Sequence, residues 1–130
     1  MKQICLLAIF LALPALGYTY ETDRAITNYS HELAVCATFY SLSAEGVRRT
    51  GEDELAKQLY SSADIAMRMS AKLSNRDVLE ARMKMSMDEQ LKLMKHDYSN
   101  MSILLAKYKD LCKFAVENPD KRLQYWLNME

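Results

Sequence analysis

From about residue 23 onward, apolar residues recur every three or four positions, the spacing that lines one face of an α-helix. Ile26, Tyr29, Leu33, Cys36 and Tyr40 form the first stripe. Between Leu33 and Leu42 the sequence reads LAVCATFYSL, apolar on nearly every side, which predicts that this helix occupies the centre of the fold. Gly46-Val-Arg-Arg-Thr-Gly51 then interrupts the pattern with two glycines suited to a helix C-terminus and turn. Thr50 is placed to cap a second helix. Glu52, Asp53 and Glu54 in its first turn complement the positive end of the helix dipole, so this acidic group needs no catalytic explanation. The second stripe runs through Leu55, Leu59, Ala63, Ala66, Met69 and Leu73, where Ser62, Ala63 and Ala66 are small enough for close helix packing.

Ser74-Asn75 followed by Asp77 resembles a capping box and predicts a third helix, with Leu79, Met83, Met87, Leu91, Met94 and Tyr98 on one face. Residues 99–102 are read as a boundary or a bend, although no Gly or Pro compels one there. Leu104 or Leu105, Tyr108, Leu111, Cys112 and Ala115 supply the next apolar face. Asn118-Pro119 gives an N-cap and a first-position proline for a short last helix, whose Leu123, Trp126 and Leu127 are expected to fold back onto the others. Helices joined by short turns give an all-α, four-helix bundle-like single domain over residues 18–130.

Residues 1–17 read differently. Met1-Lys2-Gln3 is a short basic start, residues 4–16 are apolar except for the interruption at Pro14, and Ala15-Leu16-Gly17 places small residues at a cleavage position. This predicts a secretory signal peptide cleaved after Gly17 and a mature chain in the periplasm or secreted. The apolar run is shorter than the roughly 20 residues that span a bilayer, so no stable membrane anchor is expected after cleavage.

Composition narrows the functional classes. Lys and Arg total 17, as do Asp and Glu, and removal of residues 1–17 leaves a formal charge of about −1. The basic residues are interspersed with acids along every segment, which argues against a nucleic-acid partner. Cys5 leaves with the signal peptide. Cys36 and Cys112 remain as an even pair in an exported chain, the pattern of a disulfide; Cys-x-x-Cys is absent, so a redox motif is not indicated.

Methionine is the one compositional anomaly, with Met67, Met69, Met83, Met85, Met87, Met94 and Met101 close together. Soft thioethers bind Cu(I), and Met83, Met87 and Met94 with His96 form the candidate set for such a metal. On a helix, however, Met85 points nearly opposite to Met83 and Met87, so Met83, Met87 and Met94 are read first as adaptable core filler. His31 and His96 both fall on solvent-side faces without a second ligand at helical spacing, and no zinc or haem motif is present. No cofactor is expected. Phosphate loops, nucleophile elbows and His-Glu-x-x-His are also missing.

The layout of signal peptide, helical body and one cysteine pair is similar to that of small periplasmic proteins such as immunity proteins and chaperones. That likeness is architectural and transfers no residue. The first expectation is a non-enzymatic protein that binds a protein partner, with Tyr125 and Met129 near the surface of the last helix as the contact edge. Soft-metal binding is the second. The third is an enzyme or lipid binder, which requires a real cavity.

Overall fold

The apolar run at residues 33–42 becomes the interior of a helix longer than its stripe suggested. The computed structural model describes residues 15–129, with side chains from Glu21 onward, and among these it contains no strand. The helices are α1 (Ala15–Arg49), α2 (Asp53–Leu73), α3 (Arg76–Leu93), α4 (Met101–Glu117) and α5 (Pro119–Asn128), with a single 3-10 turn at Tyr98–Asn100 before α4. The signal peptide expected at residues 1–17 falls largely outside the described residues, which begin at Ala15.

α1 packs against each of the other helices. Leu33, Ala34, Cys36, Ala37 and Thr38 on it are wholly buried, as expected for a central helix. α3 runs parallel to α1, since Arg82 donates to Ser30 Oγ at 2.9 Å and Gln90 to the Val35 carbonyl at 3.1 Å. α4 and α5 run the other way. Cys112 meets Cys36, Tyr29 reaches the Ala115 carbonyl, Arg122 reaches Glu32, and Arg24 reaches the Met129 carbonyl. Residue numbers thus fall along α1 as they rise through α4, and again as they rise through α5. After the break at Asn118-Pro119 the last helix packs on α1, with Leu123 and Trp126 against the core and Leu127 half-buried.

The α1–α2 seam is built from small residues. Ser30, Ala37 and Ala44 recur every seven residues on α1, as do Ala56, Ala63 and Ser70 on α2, and all six are buried. Ser30 Oγ donates to the Ser70 carbonyl at 3.1 Å, and Ser70 Oγ to the Ser30 carbonyl at 2.7 Å. Antiparallel steps of seven from that pair set Ala37 opposite Ala63 and Ala44 opposite Ala56. A seven-residue repeat keeps one seam facing the partner helix, and side chains this short let the two backbones approach closely.

Several boundaries differ from the sequence reading. Gly46 does not end α1; a Cβ there would lie 3.2 Å from Met101 Cε and 3.4 Å from Tyr98 Cδ1, so glycine admits the start of α4 against α1. Gly51, at φ +85°, makes the turn. Thr50 caps nothing, because its hydroxyl donates back to the Val47 carbonyl. The cap of α3 is Asn75, which accepts from the Val78 amide, whereas Ser74 donates to the Ser70 carbonyl. α3 stops at Leu93, earlier than the boundary read at residues 99–102, and Tyr98 lies beyond it. Lys95 and His96 turn the chain in left-handed conformation at φ 54° and 55°, and Asp97 accepts from the Ser99 amide.

The extension of α1 to Arg49 also resolves how two cysteines in the later parts of antiparallel helices can meet. Enough helix lies beyond Cys36 to receive the first turns of α4. Cys36 and Cys112 form a disulfide with their Cα atoms 5.3 Å apart, and both are wholly buried.

Tyr29 ties the start of α1 to the end of α4, donating to the Ala115 carbonyl at 2.6 Å. Burial, reinforced by the Glu32 carboxylate, pushes its phenol up to about 12. A raised phenol leaves stability intact below about pH 10, where the unfolded chain also keeps its proton, and removes it as pH climbs through the folded value. Tyr29→Phe is therefore expected to flatten the alkaline limb of the stability profile, while costing about 1 kcal/mol near neutrality through the lost hydrogen bond. Denaturant titrations between about pH 8 and 12 check this; an unchanged alkaline limb refutes it.

Candidate functional site

α3 covers one side of α1, and α2 and α4 flank it. The latter two share no extensive contact with each other. Between them lies an open apolar groove of about 440 Å³ with α1 as its floor. Phe39, Tyr40, Ser43 and Val47 supply the floor, Leu55, Leu59 and Ser62 the α2 wall, and Met101 and Leu105 the nearer part of the α4 wall. Leu55 and Leu105 remain 40% and 43% exposed. Lys109, Lys113 and Glu117 continue the α4 wall at helical spacing, so the groove is apolar at one end and charged at the other. Burial and the nearby Glu117 charge raise the Tyr40 phenol at the charged end.

These residues escaped the sequence reading for identifiable reasons. Leu55 and Leu59 were placed on a core stripe, which they flank without being covered. Leu104 and Leu105 were left as alternatives for one core position; Leu104 is wholly buried and Leu105 faces the groove. The available signal was the width of α4's apolar arc. Ile103, Leu104 and Leu105 are consecutive, and Ile103, Leu105, Leu111 and Phe114 all stay more than a third exposed, more apolar surface than one buried stripe requires.

The contact edge predicted at the C-terminus is exposed at Tyr125 and Met129, 44% and 45% respectively. Trp126 faces inward and donates its indole N–H to Glu32 Oε2 at 2.9 Å. Arg122 donates to both oxygens of the same carboxylate, at 2.7 and 2.9 Å. Its guanidinium lies 4.1 Å from the centroid of the Tyr125 ring, and the hydrogen bond to Glu32 holds it more firmly protonated. This cluster anchors α5 to α1 and leaves only the outer aromatic face free.

The residues considered for a soft metal are divided between core and solvent. Met94 is wholly buried, Met83 and Met87 are half-buried against the core, and His96 is exposed on the turn. Met85 is 69% exposed, as its phase on the helix predicted. Among the described residues no group of three His, Cys, Asp or Glu side chains is arranged to hold a metal ion, and no helix is long and apolar enough to cross a membrane.

The other polar cluster joins α1, α2 and α3. Ser30 and Ser70 exchange hydrogen bonds beneath Arg82, and Gln90 bonds Ser86 and the Val35 carbonyl while its Oε1 has no protein partner. His31, beside Ser30, has its pKa lowered by burial and by Arg82, with Glu89 opposing. Ser30 and Ser70 are wholly buried and their hydroxyls are engaged, so this arrangement fastens three helices and presents no nucleophile to solvent.

Comparison with known proteins returns no matching family model, curated protein or solved structure.

Proposed function

We propose that the chain is an exported, non-enzymatic interaction module that holds an α-helix of a protein partner in the groove between α2 and α4. The observation that carries this reading is the apolar strip over the floor of α1 that no other described helix covers, with Leu55 and Leu105 exposed and Leu59 half-buried between them. A helix laid there takes the position opposite α3 and buries the strip from both sides, the familiar mode in which an amphipathic helix docks through anchors at i, i+4 and i+7. A half-open trough suits a helix, which brings its own second face to solvent, better than a small ligand that needs most of its surface enclosed.

Selection of helical peptides from a displayed library against the oxidised protein tests the reading. Selected sequences are expected to carry apolar anchors at helical spacing and to lose at least tenfold in affinity for the double variant Leu55→Gln/Leu105→Gln. Both positions are already partly exposed and glutamine keeps helix propensity, so the variant should remain folded with its disulfide intact. Selected peptides that bind the variant equally well overturn the assignment.

A further inference from the structure

Building on the groove reading, we infer that the partner helix is acidic on the flank that meets α4, and that Lys109 and Lys113 select it. The two lysines stand one helical turn apart on the wall of the groove, and neither makes an ion pair among the described residues. Other charged side chains nearby are differently placed. Lys107, on the same helix, is paired with Glu89, and Lys57 on α2 with Glu54. Glu45 on α1 is held by Arg48 and Arg49. Glu117 completes the α4 row one turn beyond Lys113, so the excess charge of the row is positive and centred on the lysines.

An occupant with leucine-like anchors over Leu55, Leu59 and Leu105 therefore reaches the lysines with residues on one edge of its own helix. Two carboxylates there, four residues apart, match two ammonium groups four residues apart. Rim charges of this kind set partner choice and encounter rate more than total affinity, and a lysine partner in the same place meets like-charge repulsion. The chemistry that fits is an amphipathic, acidic helix in a polypeptide partner.

The test uses the oxidised protein and three synthetic helical peptides with one set of leucine anchors, carrying two Glu, two Gln or two Lys at the edge positions. The Glu peptide is expected to bind about tenfold more tightly than the Gln peptide at low salt, with the difference shrinking at high salt. Lys109→Glu/Lys113→Glu should invert the order in favour of the Lys peptide. Equal binding of all three peptides, still weakened by Leu55→Gln/Leu105→Gln, overturns the acidic partner and leaves the groove reading standing. Binding of sodium dodecanoate in place of any peptide, abolished by the lysine variant, overturns both in favour of an anionic amphiphile. A concentration-dependent dimer in sedimentation that Lys109→Glu/Lys113→Glu dissociates assigns the groove to a second copy and overturns the separate partner.

Discussion

Replacing Cys36 and Cys112 together with alanine is expected to lower stability by at least about 4.5 kcal/mol, the chain-entropy value for a cross-link between residues 76 apart in sequence, to which the lost packing of the sulfurs adds. For a domain of this size that is a large share of a total of about 5–15 kcal/mol. The helices themselves should persist, because alanine is the better helix former and the Ser30–Ser70 seam makes no use of the bond. Urea denaturation of the oxidised protein, the reduced protein and the double variant separates the contributions. Reduction removes the cross-link alone, whereas the variant also empties the space of two buried sulfurs. A loss below about 1 kcal/mol on reduction refutes the prediction and indicates that the unfolded chain already keeps α1 and α4 together.

Glu32→Ala is expected to cost about 3–5 kcal/mol, nearly all of it through α5. The Glu32 side chain is 7% exposed and that of Arg122 14% exposed, so removing the carboxylate strands a guanidinium with little solvent to receive it. The Trp126 indole N–H loses its acceptor in the same step. Trp126 is the only tryptophan in the chain, so its fluorescence reports the fate of α5 without labelling. A red-shifted emission below the main unfolding transition is the expected signature. Glu32→Leu combined with Arg122→Met should recover much of the loss by removing both charges together. An unshifted emission maximum in Glu32→Ala refutes the clamp.

The helices were legible because their apolar spacing is regular. The disulfide was legible because setting aside the N-terminal segment read as a signal peptide leaves only two cysteines, and an even pair has few alternatives. The place of α1 at the centre followed from a run that is apolar on every side. Errors gathered where tertiary packing overrides local signals. Gly46 resembled a stop, but the contact that uses its missing side chain comes from Met101 and Tyr98, far along the chain. The turn after α3 carries no glycine, and Lys95 adopts, beside His96, a left-handed angle that lysine does not advertise. Glu32 and Arg122 were unremarkable charges at a sequence separation of 90, and no periodicity links them. The groove was hidden for a related reason. Helical spacing marks an apolar residue as facing something, without saying whether another helix of the same chain arrives to cover it.

The register of small residues between α1 and α2 also sets an order of events. These two helices are neighbours in sequence, so their pairing closes only a short loop, whereas joining residue 36 to residue 112 requires the chain between them to be gathered first. The hairpin is the part of the molecule that can assemble while the rest is still diffusing. Substituting Ala63 should then slow folding, and substituting Tyr108 on α4 should chiefly hasten unfolding. Cys36 belongs to that early hairpin and waits there for its partner, so correct oxidation follows from the order in which surfaces become available.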